Sequence, residues 1–436
     1  MTPSSARGRL FAAVGAIERH ERPAVAVSFL LFFCIMAGFF AVRPVRDTVG
    51  TLIGAERLAN LWIGTAAASV VVIPVYGWLV ARVRRSVFLP WTYAGVAVSL
   101  AIVGLAFRGG GAPGLRLSQF FWIFISVLNL FTISVFWSFL LELFRSEQTR
   151  RLFGIIAAGG TTGALAGPLF TDFAVSRIGN SGILFLGAGF FALAIVCQKT
   201  LLIVWRSDSR AVETGDLAAP DQAIGGSMWA GVPLVLKSQY VLGITLFVVL
   251  ISAASTFLYF DQLRLVTDAF PDVAARTQFF ARLDWIVQSL TILSQLFLTG
   301  YIASRIGLVV LLTMVPIATA LAFATLAFWN TLAVVAVSIV TRRFGQFAFV
   351  RPGREMLWSV LDNETKYKAK NFVDVPVYRA ADAVFAQLEK GIHAVGFGSR
   401  TVAIVGAVAA AVWAVNGWWL GRQHDAATVQ TRADDP

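Results

Sequence analysis

The residues that could do chemistry here are few charged groups in an apolar chain. Arg43, Arg46 and Asp47 stand in "AVRPVRDTVG", at the end of the run "AVAVSFLLFFCIMAGFFAV". Toward the other end, Lys368 and Lys370 precede "NFVDVPVYRAAD". There Asp374, Tyr378 and Asp382 recur at i, i+4, i+8, with Arg379 beside them. Fixed cations can replace the water shell of an anion. Arginine offers a planar fork to phosphate or carboxylate oxygens and keeps its proton, whereas lysine acts as a point charge. A lone charge at a bilayer centre costs about 2.5–3.5 kcal/mol on insertion scales, so such groups face a cavity and find partners. Arg43, Arg46, Lys368 and Lys370 are therefore candidates for a cationic cavity that attracts anions. A blander reading stands beside each. At about 1.5 Å per residue, Arg46 lies ~33 Å along a helix begun at Ala24. That is the far interface, where an arginine snorkels, with Asp47 as its local partner. Lys370 reads equally as a topogenic charge. Asp374, Arg379 and Asp382 read equally as an ion-pair network or as lining of a path.

These residues need elements to hold them. The 436 residues are 57% hydrophobic and 14% charged, with mean hydropathy +0.74. Apolar runs of about 20 residues recur, each long enough to cross a ~30 Å hydrocarbon core as a helix. In lipid the backbone must satisfy its own hydrogen bonds, so helices are expected, and the period-2 alternation of a membrane barrel is absent. The runs fall near 24–48, 58–82, 87–107, 119–144, 152–174, 181–204, 240–260, 281–304, 308–328, 331–350 and 401–420. A half-apolar twelfth lies near 372–396. His393 beyond it reads as a loop residue.

Charge orients the spans. Arginines and lysines collect in the N-terminal tail, after span 2 (Arg82, Arg84, Arg85) and after span 4 (Arg145, Arg150, Arg151). They collect again between spans 10 and 11, from Arg342 and Arg343 to Lys370. The positive-inside rule then places both termini in the cytoplasm, which needs an even number of spans. These loops account for much of the net charge of +12, so no nucleic-acid binding is read from it. The polar stretch "RSDSRAVETGDLAAPDQAIGGS" divides the spans six and six. The expected organisation is an N-terminal six-helix bundle over 1–205, a cytoplasmic linker over 206–238, a C-terminal bundle over 239–422 and a cytoplasmic tail over 423–436. A retained first span, with no cleavable signal, suits the cytoplasmic (inner) membrane.

Several functions drop out. There is no G-x-x-x-x-G-K phosphate loop, and three histidines with two cysteines leave little for a metal site. Cys34 and Cys197 both fall in apolar runs and read as core residues. The expectation is a monomeric membrane protein that is no enzyme, with no cofactor and no metal.

Repeats point to transport. "GWLVARVRRS" after span 2 and "GYIASRIG" after span 8 share the pattern G-x-aliphatic-x-x-R, and "SRIG" recurs after span 5. Nested three-helix repeats in two six-helix halves are the plan of the major facilitator fold. The loops resemble that superfamily's cytoplasmic loop motif, with Ala81 where its Asp stands. In "GIIAAGGTTGALAGPLFTD", Gly159, Gly163 and Gly167 share one helix face, and Pro168 follows. Such glycines let a neighbouring backbone come close. The pattern also resembles the fifth-span motif of facilitator antiporters, so tight packing and an antiport role both stand.

A longer resemblance names a substrate. "RPGREMLWSVLDNETKYKAKNFVDV" resembles the segment before span 11 of the ATP/ADP translocase (nucleotide transporter) family. Pro352, Arg354, Glu355, Met356, Leu361, Asp362, Glu364, Lys366, Lys368, Lys370, Asp374 and Val375 fit its pattern. "VRPVRDTVGTLIGAE" resembles that family's first-span segment, and "FWSFLLELFRSEQTRRLFGIIAAGG" its fourth-to-fifth-span segment. The resemblance implies twelve transmembrane helices in two bundles and exchange of ATP-type for ADP-type nucleotides. It implies substrate roles for Arg46, Glu142 and Lys370, which match the family's first-span cation, fourth-span glutamate and lysine before span 11. Glu142 reads also as a local partner of Arg145. The seventh-span acid has no direct match, and "TFLYFDQLR" puts Tyr259 and Asp261 near its place. Arg replaces Lys at position 46, and "PVYRAADAV" replaces a glycine-rich stretch. Asp261 with Arg264, and Asp284, read as interfacial or structural. The alternative is a proton- or anion-coupled facilitator for another organic anion.

Overall fold

In a computed structural model, the residues described are 17–82, 85–108, 113–144, 146–207, 231–297 and 307–434. Several features of the sequence lie outside them. These are Arg7 and Arg9 of the tail, Arg84, Arg145, linker positions 208–230, and the basic loop from Gly300 to Arg305.

The described residues are helical almost throughout. Helix α1 spans Arg22–Ile53, α2 Ala55–Arg82, α3 Arg85–Phe107 and α4 Leu115–Leu143. The stretch Ser146–Ser207 is broken at Gly179 into α5 (146–178) and α6 (180–207). Gly179 has φ +64°, a left-handed backbone that glycine adopts without a Cβ penalty. A short α7 (Gly231–Lys237) leads to α8 (Gln239–Ala269), α9 (Val273–Phe297), α10 (Leu308–Phe328) and α11 (Leu332–Gly345). Helix α12 (Arg351–Leu357), α13 (Asn363–Phe372), α14 (Tyr378–Ala394) and α15 (Ser399–Asp434) complete it. Each of the twelve apolar ranges read from sequence contains a helix. Among the described residues eight stretches, with 151–205 counted as one, are long and apolar enough to cross a membrane by length and composition. Among the described residues the fold is all-α.

Three local details differ from the sequence reading. Residues after 350 do not leave span 10 as a polar loop. Helix α11 runs through a π-helical turn, Gln346–Val350, into α12, with Pro352 in its first turn. Proline has no N–H to donate, so one rung of the ladder is given up where the helix passes from π to α geometry. Arg342 and Arg343, counted as loop charges, therefore lie in the last turn of α11, and Arg342 is buried. His393 closes the last turn of α14 and is not a loop residue. Positions 423–434 continue α15 as helix.

The chain divides into two compact units. The first comprises Met1–Leu52, Ile73–Ile224 and Asp272–Trp285. The second comprises Ile53–Val72, Gly225–Pro271 and Ile286–Pro436. The first part of α2 thus belongs with the second unit, and the first part of α9 with the first.

In the first unit the glycine stripe sets the packing. A Cβ at Gly159 or Gly163 would run into the carbonyl oxygen of Phe29 or Phe33. At Gly167 it would stand 2.5 Å from that of Ala37. One turn on, Thr171 Oγ1 donates to the carbonyl of Ala41 at 2.9 Å. Each partner is 130 residues away, as are Glu21 and Arg151, whose carboxylate and guanidinium meet at 2.6 Å. Helices α1 and α5 therefore run parallel in one register over some five turns, and the stripe is occupied by backbone. In the second unit, Phe247, Trp413, Phe323 and Trp358 anchor the core, and Phe247 meets Trp413 edge to face at 5.6 Å. Asn416 Nδ2 donates to the carbonyl of Gly243 at 2.9 Å, tying α15 to α8.

Candidate functional site

The first unit holds Arg43, Arg46, Asp47 and Glu142. Pro44 sits between these charges inside α1 and removes one backbone donor there. Arg46 uses Nε and Nη2 on Asp47 Oδ1, at 3.0 and 2.5 Å. Its Nη1 reaches Ser126 Oγ on α4 at 3.4 Å, and its guanidinium lies 5.6 Å from the Trp122 ring centroid. Arg46 keeps 15% of its side chain exposed, while Asp47 is buried. The local partner read from sequence is in place, but the pair lies within α1, two turns before its end, and its second partners come from α4. Arg43 Nη1 stands 3.7 Å from Asp284 Oδ1 on α9, and Asp284 is 2% exposed. Glu142 is exposed in the last turn of α4.

A cluster around Asp172 went unnoticed in the sequence. Asp172 is buried at the end of the glycine stripe. Its carboxylate accepts from Trp285 Nε1 at 2.9 Å and from Arg282 at 3.3 and 3.4 Å. Its carbonyl accepts from Gln278 Nε2 at 2.9 Å. Nearby, Thr48 and Thr277 share a hydroxyl hydrogen bond of 2.7 Å, and Arg276 Nη1 donates to Thr51 at 3.0 Å. The first part of α9 is thereby stitched to α1 and α5. The available signal was the aspartate directly following "GPLFT", one turn beyond a proline in an apolar helix.

The second unit holds the remaining candidates. Lys370 donates to the Glu355 carboxylate, and Arg354 Nη2 lies 3.2 Å from Asp374 Oδ1. All four positions belong to the segment that resembles the nucleotide transporters, and they join α12 to α13 and the turn after it. Lys368 is half-buried beside them, and its carbonyl oxygen stands 2.5 Å from where a Cβ on Gly231 would lie. Arg379 Nη1 reaches Asp382 Oδ2 at 3.4 Å, and Ser252 Oγ on α8 donates to Asp382 Oδ1 at 2.5 Å. The row Asp374, Arg379 and Asp382 is thus two ion pairs, with Asp374 turned to Arg354. Buried Arg342 donates to Gln346 Oε1 at 2.7 Å. Tyr259 packs with Trp62 at 5.6 Å between ring centroids. Asp261 accepts from Asn330 Nδ2 at 3.0 Å, while Arg264, its sequence neighbour, pairs with buried Glu389. His393 Nδ1 lies 3.3 Å from the same Glu389.

The arrangement has one chemical theme. Arg43, Arg46, Lys370 and Arg379 each meet a carboxylate within 4 Å. Such groups can exchange a protein carboxylate for an anion of a solute without leaving a bare charge in low dielectric. Among the described residues no group of three or more His, Cys, Asp or Glu is placed to hold a metal ion.

No protein-family model matches the chain, and no curated protein sequence does. Solved structures do. The nucleoside transporter NupG superposes with a TM-score of 0.64 at 15% identity, over 92% of this chain and 99% of that one. A bacterial homologue of the iron transporter ferroportin, inward-facing, gives 0.66 at 12% identity, over 91% and 98%. A POT family transporter bound to a thioalcohol-conjugated peptide gives 0.60 at 13%, over 94% and 99%. At these identities the likeness is one of fold, and it extends over nearly the whole length of each chain.

Proposed function

We propose that the protein is a membrane transporter that carries a nucleotide-class anion by alternating access of two six-helix halves, with both termini cytoplasmic. The observation that carries this is Arg46. A guanidinium inside an apolar helix is costly unless it has work to do. Arg46 is held through Nε and Nη2 by Asp47, and that edge of the fork is one a phosphate would use. A phosphate arriving at Arg46 takes over from Asp47, while Ser126 keeps the guanidinium oriented. Trp122, stacked on the same guanidinium, bounds the place where a planar base could lie. The family resemblance of residues 352–375 supports exchange of ATP-type for ADP-type nucleotides. A nucleoside transporter among the structures of like fold is in keeping with that cargo.

A second reading is favoured by the pairing of the candidate cations. A site whose charges are cancelled when empty suits coupled net transport of an organic anion better than strict exchange. An exchanger benefits from an empty site too charged to cross.

Counter-exchange in proteoliposomes tests the proposal: labelled ATP outside, unlabelled ADP or nothing inside. Uptake that disappears in Arg46→Ala supports it. An absence of uptake over a panel of nucleotides, with well-folded protein, overturns the nucleotide assignment.

A further inference from the structure

The first unit has a cavity that the transport reading does not use. It measures about 520 Å³ and lies where α1, α3 and α5 end and α6 and α9 begin. All of its lining belongs to the first unit. Small-molecule pockets run from about 300 to 1,000 Å³, so there is room for a ligand and not only for water. One wall is tied in place: Ser181 Oγ donates to the carbonyl of Gly104 at 2.7 Å and holds α6 against α3. Gly179, in its left-handed turn, would aim a Cβ at no atom within 4 Å, so the turn leaves the space open.

Three polar side chains stand around this space. Arg108, exposed just past α3, lays its guanidinium over the Phe185 ring, 4.7 Å from the centroid. Asp272, exposed just before α9, accepts from the Ala275 N–H at 2.8 Å. Asn180 is 7% exposed, and its Oδ1 is enclosed with no hydrogen-bond partner among the described residues. A buried acceptor left so is costly, and a donor that draws the amide toward the cavity recovers that cost. The cavity therefore suits a molecule with an anionic end for Arg108 and a cationic, hydrogen-bond-donating end for Asn180 and Asp272.

The flanks decide where such a molecule comes from. Phe173 and Ile178 on α5 and Ile102 and Leu105 on α3 are exposed apolar residues, and Ile178 itself lines the cavity. In a membrane-spanning bundle these are lipid-facing positions. Helix ends lie at the level of the headgroups, where basic pockets between helices take phosphate-bearing heads. A ligand with its charged end in the cavity thus has apolar surface beside it for a hydrocarbon chain.

We propose that this cavity binds the head of a phospholipid that carries a primary ammonium, of the phosphatidylethanolamine class. The phosphate lies on the Arg108 guanidinium, which Phe185 supports. The ammonium donates to Asn180 Oδ1 and is balanced by the Asp272 carboxylate. An acyl chain runs along Ile178 and Leu105. A choline head has no N–H for Asn180, and a glycerol head has no cation for Asp272. The inference needs a chain embedded in a membrane and no particular cargo, so a failure of nucleotide exchange leaves it standing.

Native mass spectrometry of the full-length protein tests it. The protein is stripped of lipid and offered equal amounts of phosphatidylethanolamine, phosphatidylcholine and phosphatidylglycerol with the same acyl chains. Wild-type protein should hold the ethanolamine lipid about tenfold more tightly than the choline lipid, the scale of one hydrogen bond from a charged donor. Asn180→Ala should bring the ethanolamine lipid down to the choline level. Asp272→Ser, which keeps a helix cap, should narrow the same margin. Arg108→Gln should weaken both lipids alike. Arg108 is exposed, so that variant decides the matter where Asn180→Ala does not fold. Equal retention of the ethanolamine and choline lipids by wild-type protein overturns the proposal. So does a preference for phosphatidylglycerol, which would make the site a plain cationic patch. Binding that neither Asn180→Ala nor Arg108→Gln reduces places the lipid elsewhere and overturns it too. In a competing arm soluble phosphoethanolamine is added. If it binds as tightly as the lipid and displaces it, the lipid is overturned as the source of this head chemistry.

Discussion

Lys370 donates to the Glu355 carboxylate, and Arg354 stands 3.2 Å from Asp374, so four motif positions form two ion pairs with one another. The Lys370–Glu355 pair is well exposed on the carboxylate side, and pairs of that kind are worth about 1 kcal/mol or less. Lys370→Ala should therefore lower stability by no more than about 1 kcal/mol. The transport reading requires a larger effect on function. Counter-exchange should be lost in Lys370→Ala and should stay lost in Lys370→Ala/Glu355→Ala. Recovery in the double variant would make Lys370 a clasp and remove it from the nucleotide site.

The glycine stripe gives a packing prediction. At Gly163 a methyl group would meet the carbonyl of Phe33, and backbone cannot swing aside as a side chain can. Gly163→Ala should destabilise by about 1–3 kcal/mol, the usual cost of overpacking. Gly154 lies on the same helix with open space where its Cβ would be. Gly154→Ala should stabilise by up to about 1 kcal/mol through helix propensity. Thermal unfolding in detergent separates the two. Equal behaviour would remove the close approach of α1 and α5 from the account.

How much of this was legible in the sequence depends on range. The helices were, because about 20 apolar residues in succession need no partner to be recognised. The extension of span 10 was not. The apolar run was read through Arg342 and Arg343 only to 350, and nothing local marks the π-helical turn there that carries the helix on into the polar segment. Arg46 with Asp47 was legible because the partner is the next residue. Arg43 with Asp284, and Glu21 with Arg151, were not, because nothing local marks a partner hundreds of positions away or 130 residues along. The row Asp374, Arg379, Asp382 was legible in part: an ion-pair network was one of its two readings and Arg379 does pair with Asp382, but Arg354 arrives from another helix and takes Asp374.

Asp172 should hold the first part of α9. Its carboxylate serves Trp285 and Arg282, and Arg282 is more than half exposed, so the ionic share is small. The half-buried indole hydrogen bond matters more. Asp172→Asn, which keeps an acceptor, should cost less than Asp172→Leu, which strands the Trp285 N–H at about 1–3 kcal/mol. Hydrogen exchange over 273–285 should quicken in Asp172→Leu and change little in Asp172→Asn. Unchanged protection in both would mean that Thr48–Thr277 and Arg276–Thr51 suffice to hold the segment.

On the transport reading, Asp47 sets the charge of the empty site. With Asp47 beside it, Arg46 is paired when no solute is bound and does not itself stand as a bare charge in low dielectric. Asp47→Asn keeps the shape and leaves Arg46 without that counter-charge. An anion then binds a guanidinium that Asp47 no longer contests, so apparent affinity should rise. The empty site, now cationic, should reorient more slowly, and uptake should come to depend on internal substrate. The measurement is the ratio of labelled-ATP uptake with internal ADP to uptake without it. That ratio should increase in Asp47→Asn relative to the wild type, and in Arg46→Lys it should not, because the ammonium still pairs with Asp47. Arg46→Lys should instead lower total exchange, since a point charge replaces the fork. An unchanged ratio in Asp47→Asn, with uptake intact, would place the charge balance of the empty protein elsewhere and leave Asp47 a structural partner of α1.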